Sequence, residues 1–392
     1  MELILSSKQG LQAKYGPKGF QALHAKIEEL QVALRQDASL CRPPDKTTTQ
    51  GAEPEKGLPS ALIYVDDAAS LVPYGLKPVN PAKPQAIKTL LDRLERRLAA
   101  KKQAPHYLLI VGGDDIIPFH HLPNPIADDA WDDDRQVYSD SAYASSDEEY
   151  VVPERAVGRL PDGQSPDPAL LLAQLDTAIA GHKSRAAAAL RPLGYSARIW
   201  RTAANKVYQT IAGGRRLHTS PPQTVVSFKR AWLDGARLLY FNLHGLVNKE
   251  MWYGQQGEDY PLAFSPNLVD GVGLRGAVVA SEACYGADVM GKDPQTSIAL
   301  RFLRCGAACF LGSTCRSYGQ PKEPGEADLL VLFFLQYVFH RLPVGDALLQ
   351  AKIDYAKRQI RHQGLLDEGD QKTLLQFVLY GDPSFCLPEQ RR

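Results

Sequence analysis

The sequence predicts an α/β protein with a mostly parallel sheet covered by helices on both faces. Strand-length runs such as HYLLIV, RLLYFNL, GAVVAS and GAACFLGS are continuously apolar rather than alternating, the pattern of strands buried on both faces. Segments with apolar residues at helical spacing lie between them, as the crossovers of parallel strands require. Several runs stop at glycine or a short polar stretch, where a doubly wound sheet turns its chain. The apolar fraction is 44% and the charged fraction 23%, values of a soluble globular protein. A chain of 392 residues has room for two subdomains.

In chain order, residues 19–35 (GFQALHAKIEELQVALR) read as an amphipathic helix, so residues 1–40 are expected to form an amino-terminal helical extension. Residues 42–59 (RPPDKTTTQGAEPEKGLP) are rich in Pro, Gly, Thr and charge and read as a flexible linker, residues 41–60. A first α/β subdomain then spans 61–188. It holds the strand ALIYV, a helix over AKPQAIKTLLDRLERRLAAKK, the strand HYLLIVGGDD, an acidic loop at 128–140, the segment AVGRLP and a helix from about 167 to 182. The second subdomain, 189–392, has strand candidates LGYSARIW, QTVVSF, RLLYFNLHG, GAVVASEAC and GAACFLGST. Its helices are expected near 295–304, 326–341 and 344–361.

Composition excludes several functions. A formal net charge of +1 provides no field for nucleic acid. The residues after Met1 (ELILSSKQG) are too short and polar for a signal-peptide core, and LLVLFFLQYVF is half a membrane span. Six cysteines form no CxxC pair, so neither zinc nor a disulfide framework is indicated and a reducing, cytoplasmic setting is expected. GGDD after HYLLIV lacks the third glycine and the Lys-Ser/Thr of a phosphate loop, and its aspartates would repel phosphate.

Chemistry is sought beyond the carboxyl ends of the strands, where open α/β sheets carry their reactive groups. RLLYFNL ends in His244-Gly245, and GAVVASEA ends in Cys284 about 40 residues later. Neighbouring parallel strands lie about 4.8 Å apart, so the two side chains can share one cleft. An imidazole can take the thiol proton, and the thiolate can attack a carbonyl. The backbone N–H groups of Gly245 and Cys284 are the oxyanion-hole candidates, with Gly245 allowing close approach. Cys305, Cys309 and Cys386 read as buried structural residues.

HG at one strand end and EAC at the next resembles the caspase–gingipain–separase group of cysteine peptidases. LLIVGGDDIIPFHHLP, YSDSAYA and ERAVGRLPDG are similar to the first subdomain of gingipain-type members. VGDALLQAKIDYAKRQ and LLQFVLYGDPSFCL are similar to their carboxyl-terminal third. The segments occur in order across about residues 61–387. The resemblance implies a caspase-like three-layer αβα fold of two Rossmann-like subdomains and an endopeptidase acting on protein substrates. It gives Cys284 the nucleophile role, with a thioester intermediate, and His244 the general base and then acid. Members that orient the His with an acidic residue place it where ARIWRTAANKV (197–207) stands here without a carboxylate. A dyad, Asp140 or Glu154 are then the alternatives.

The resemblance places the specificity pocket partly in the loop 312–328, where Glu323, Glu326 and Asp328 would favour cleavage after Arg or Lys. Arg316 is the competing signal and would favour an acidic residue. Glu326 and Asp328 also suit the first turn of the next helix. No cofactor is required. The acidic loop at 128–140 either holds Ca²⁺ or is simply solvated. Regulation by a protein partner, or by self-cleavage at Arg42, Lys46 or Lys56, fits the linker. A catalytically silent interaction module and an acyltransferase or ligase using the same thiol are the rival readings; no nucleic-acid or membrane partner is expected.

Overall fold

The structure is a computed structural model and describes residues 1–37, 57–126, 132–183 and 189–388. Residues 41–56 of the predicted linker, with Arg42, Lys46 and Lys56, and residues 128–131 of the acidic loop, lie outside the described residues, while the linker's last residue, Ser60, already opens a strand.

The chain begins with a strand the sequence reading missed, β1 (Glu2–Ser6), buried at all five positions. The helix α1 (Lys8–Gln36) follows, capped by Ser7, whose side chain accepts from Gly10 N–H. Asp66 takes the Lys8 and Gln9 N–H groups at 2.9 Å each, as a carboxylate at a helix amino terminus should. Gly16 at φ 67° and Pro17 kink the helix, so its periodicity registers in the sequence only beyond the kink.

Next come β2 (Ser60–Tyr64), α2 (Ala68–Leu71), α3 (Pro84–Ala100), β3 (Tyr107–Val111), β4 (His120–Pro123) and β5 (Gln136–Ser139). Then follow α4 (Ser141–Ala144), β6 (Ala156–Leu160), α5 (Ala169–Lys183), β7 (Pro192–Ala197), α6 (Arg201–Gln209) and β8 (His218–Ser220). The remainder comprises β9 (Leu238–Asn242), β10 (Trp252–Tyr253), β11 (Leu262–Phe264), β12 (Ala277–Ser281), α7 (Ile298–Arg304) and β13 (Ala307–Ser313). Helices α8 (Glu326–Phe339), α9 (Val344–Gln363) and α10 (Glu368–Gln376) lead to β14 (Phe377–Gly381).

One ten-stranded sheet has the order β2-β1-β3-β6-β14-β13-β12-β9-β7-β8. The amino-terminal segment is therefore no extension: β1 pairs in parallel with both β2 and β3. Its apolar core is only three residues long, and its burial depends on flanking strands that arrive 50 to 100 residues later. QTVVSF is not a strand either; Val226 is 91% exposed, and the edge strand is β8. That short apolar pair meets the fold through Val225 N–H on Leu262 O.

All pairings in the sheet are parallel except one, β13 against β14. The two halves of the sheet therefore run in opposite directions, and the carboxyl ends of their strands lie at opposite edges. Strand β14 joins the halves, pairing with β6 through Tyr380 and Arg159. Beyond it, Asp382 accepts from Ser384 N–H at 2.9 Å and meets His182, which also bonds Asp37. Helices cover both faces, and among the described residues none is long and apolar enough to cross a membrane.

Candidate active site

The register of β9 and β12 sets the site. Phe241 pairs with Ser281, so His244 and Cys284, each three residues further on, leave neighbouring strands at equivalent positions. A Cβ on Gly245 would sit 1.8 Å from the Cys284 carbonyl oxygen, so only glycine allows these two strand ends to lie so close. Among the described residues, neither Gly245 N–H nor Cys284 N–H bonds another residue; the Cys284 N–H faces its own sulfur.

The backbone of His244 is clamped on Tyr253 by N–H···O bonds in both directions, 2.9 and 2.8 Å. Its ring lies between Trp200 and Tyr260, centroids at 4.1 and 5.4 Å. Nε2 is 2.7 Å from Gln255 Oε1. The Gln255 amide donates its Nε2–H to Gly257 O at 3.0 Å and meets Tyr260 OH at 2.8 Å. A carbonyl can only accept, so the amide nitrogen belongs there and the amide oxygen faces the imidazole. His244 therefore carries its proton on Nε2, and Nδ1 keeps a lone pair with no partner among the described residues. Burial lowers the imidazole below its ordinary value, and the Gln255 bond opposes this.

The Cys284 sulfur, partly buried, accepts from Ser317 N–H and donates to Ser317 O, both at 3.3 Å. Burial pushes the thiol up, while the Ser317 N–H and the charges of Arg316 and Lys372 favour the thiolate. Tyr285 follows at φ 56°, a left-handed conformation that costs a side-chain-bearing residue energy and is common where a reactive group must be exposed. It turns the chain back, with Tyr285 N–H on Cys315 O and Ala287 N–H on Ser313 O.

A buried ion cluster backs this wall. Lys372 on α10 pairs with Asp132 and with Asp134, the latter at 3.2 Å. Asp134 also takes Tyr285 OH at 2.9 Å and Arg316 N–H at 2.7 Å, and Asp132 takes Tyr318 OH at 2.8 Å. These two members of the acidic loop thus hold both neighbours of the sulfur, and their charge is answered by lysine. Among the described residues no group of three or more His, Cys, Asp or Glu is placed to hold a metal.

Several sequence expectations are corrected. Asp140 is held by Arg159 through Nε at 2.9 Å and NH2 at 2.5 Å, and Glu154 takes Ser146 N–H at 2.6 Å. Neither is among the partners of His244; the amide of Gln255 stands where a carboxylate was sought. Asp328 is fully buried, accepting from Asn242 Nδ2, Gln320 N–H and Gly325 N–H, each at 3.2 Å. It cannot line a pocket for a substrate cation, because its oxygens are already engaged inside the protein. Glu323 pairs with Lys206 on the surface, and Glu326 is half-buried in the first turn of α8. Arg316 lies beside the sulfur with its guanidinium 3.7 Å from Asp133.

Glu282, just past the end of β12, is buried, and its carboxyl is pushed well above the ordinary carboxylate range, first by burial and then by Asp328. Asp328 itself is pushed up to about 6 by burial. Gln255, Ser317 and Lys372 went unnoticed in the sequence because each acts through a contact that its own segment does not show; Ser317, in the loop after β13, acts through its backbone. No spacing rule connects them to His244 or Cys284.

A family model described as peptidase family C25 matches residues 52–388. The crystal structure of the Arg-specific cysteine proteinase gingipain R superposes with a TM-score of 0.66 at 14% identity, over 99% of this chain and 78% of that one. The complex of the pro- and mature domains of RgpB from Porphyromonas gingivalis gives 0.64 at 15% identity, over 99% and 80%. At such identities the likeness is one of fold. No curated protein sequence matches the chain.

Proposed function

This chain belongs to peptidase family C25 and is a cysteine peptidase, and from that premise we propose that Cys284 is its nucleophile and His244 its general base and acid. The observation that carries this reading is the in-register exit of the two residues from β9 and β12, with the Gly245 and Cys284 N–H groups beside them bonded to no other described residue. The substrate carbonyl oxygen would lie on those two N–H groups, which then stabilise the negative charge that develops there. His244 Nδ1 takes the thiol proton as sulfur attacks. The resulting imidazolium returns it to the leaving amine, the C–N bond breaks, and a thioester remains on Cys284. Water, deprotonated by the same nitrogen, then hydrolyses the thioester.

A raised thiol and a lowered imidazole favour a resting pair that is neutral, so proton transfer accompanies attack rather than preceding it. Gln255 orients the ring and fixes its tautomer without adding a charge. The reading accordingly has a dyad with an amide as third member.

For the residue before the scissile bond, a preference for Arg or Lys loses support, since Asp328 is buried and Glu323 is paired. Arg316 at the sulfur supports an acidic residue instead. Fluorogenic peptides ending in Arg, Lys or Asp discriminate, and cleavage only after Arg or Lys ends the acidic reading. Control by a partner, or by self-cleavage at Arg42, Lys46 or Lys56, belongs to the same reading; a single unshifted band from active enzyme rules out the second route.

The decisive test of the dyad is stoichiometric labelling by an electrophilic peptide. Mass shift at Cys284, absent in Cys284→Ala and strongly slowed in His244→Ala, is expected. An unlabelled Cys284 in folded protein would mean a silent interaction module.

A further inference from the structure

We propose that Asp134, from the first half of the chain, is a positioning residue for the nucleophile: its carboxylate clamps the segment that presents Ser317 to the Cys284 sulfur. The inference rests on the reading of Cys284 as nucleophile.

The clamp is a closed ring of hydrogen bonds. Tyr285 N–H donates to Cys315 O at 3.0 Å, Arg316 N–H to Asp134 Oδ2 at 2.7 Å, and Tyr285 OH to Asp134 Oδ1 at 2.9 Å. The Cys315–Arg316 peptide is therefore held from both sides, by Tyr285 at its oxygen and by Asp134 at its nitrogen. The next peptide carries the Ser317 N–H that donates to the sulfur, and Ser317 O accepts from the thiol, both at 3.3 Å. Beyond it, Tyr318 OH is tied to Asp132 at 2.8 Å. Ser317 thus lies between two anchored neighbours.

A carboxylate suits this work because both of its oxygens meet donors. Lys372, fully buried on α10, lies 3.2 Å from Oδ2 and also pairs with Asp132, which offsets the cost of burying the charge. Burial, then Asp134, pushes the Tyr285 hydroxyl up, so it stays protonated and donates. The ring also fixes Tyr285 at φ 56°, a conformation that a residue with a side chain keeps only when its surroundings enforce it. A displacement of about 1 Å at a reacting atom can cost about 100-fold in rate, so a sulfur held through Ser317 depends on what holds Ser317.

Peptide kinetics and the pH dependence of Cys284 alkylation by iodoacetamide test this, with the full chain at a temperature where circular dichroism shows each variant folded. Asp134→Ala should lower kcat about 50-fold with KM within about twofold, because the clamp acts on the sulfur and not on substrate binding. Its alkylation should titrate about one pH unit higher as the thiolate loses the Ser317 N–H, whereas loss of the carboxylate's charge alone would lower it. Tyr285→Phe removes one bond and no charge and should lower kcat about tenfold. Asp134→Asn can still accept from Arg316 N–H and donate to the Tyr285 oxygen, so kcat should return to within about fivefold of the parent. If Asp134→Ala does not fold, Asp134→Ala/Lys372→Met removes both buried charges and carries the same expectations. With Cys284 labelling normally in the parent, three results overturn the proposal and leave the dyad intact. They are a folded Ala variant with kcat within about threefold of the parent, an alkylation pKa that fails to rise, and an Asn variant as slow as the Ala variant. A parent that does not label at Cys284 overturns both.

Discussion

The sheet has two polar edges, and they are built on opposite plans. Strands β3 and β6 end in Gly113-Asp114-Asp115 and Asp162-Gly163, while β9 and β12 end in His244-Gly245 and Cys284. At the first edge every strong charge is answered. Lys14 pairs with Asp115 and Asp162 at 2.8 Å each, Tyr15 OH and Gly113 N–H both donate to Asp162, and a Cβ on Gly113 would collide with Asp162 Oδ1 at 2.1 Å. At the second edge partners are withheld: among the described residues Nδ1 of His244 has none, the Gly245 and Cys284 N–H groups bond no other residue, and Tyr285 is held in a left-handed conformation. Both edges bring glycine against a neighbouring strand end. What separates a structural edge from a reactive one is the incompleteness of its hydrogen bonding, which a substrate can complete.

The largest break in this contrast comes from Cys284→Ala, expected to lower kcat/KM on a cleaved peptide roughly ten-thousand-fold with the melting temperature nearly unchanged. Asp162→Asn at the other edge should do the reverse. It leaves Lys14 without its buried partner and costs about 3 kcal/mol of stability in urea unfolding, while kcat/KM at a temperature where the variant is folded stays within about twofold. A large loss of activity in Asp162→Asn would erase the distinction between the edges.

Gly245→Ala sharpens the comparison next. Its methyl must displace the Cys284 carbonyl, so activity should fall about 100-fold with Cys284 still present and titratable.

A smaller effect is expected from Gln255→Glu. With neutral His244 as the proposed base, its lowered value puts the acid limb of kcat/KM below pH 6.5. A carboxylate at Nε2 favours the imidazolium, so the limb should move to higher pH and activity at pH 6 should drop about tenfold. A limb that stays in place would show that Gln255 does not act on the ring.

The smallest effect concerns the buried carboxyl of Glu2, raised to about 8 by burial and then by Asp382. The folded state holds this proton where the unfolded chain has lost it, so stability falls as pH rises from about 4.5 towards 8. Glu2→Gln should therefore melt a few degrees higher than the parent at pH 9, with the difference closing below pH 5.

The strands that carry the site were legible as continuous apolar runs, and so were the helices α7, α8 and α9, whose apolar positions keep helical spacing. Strand β1 was not, because three apolar residues at the start of a chain have no periodicity to read. Strand β8 was displaced in the reading by QTVVSF, because an edge strand needs only one buried face and its sequence is correspondingly weak. The placing of His244 and Cys284 at neighbouring strand ends was legible because where an apolar run stops is a property of position along the chain. Gln255 was not, since an orienting residue is defined by which side chain it touches.

The amino-acid order by itself determined the α/β class, the family resemblance and the exit of His244 and Cys284 from neighbouring strands, all of which depend on local patterns and their succession. Only the tertiary structure decided that β14 reverses the sheet, that the acidic loop is drawn onto Lys372, that Asp328 is spent inside the protein and that an amide holds the imidazole. Each of these depends on residues far apart in sequence meeting at one point, and hydrogen bonds and ion pairs are set by that meeting rather than by spacing along the chain.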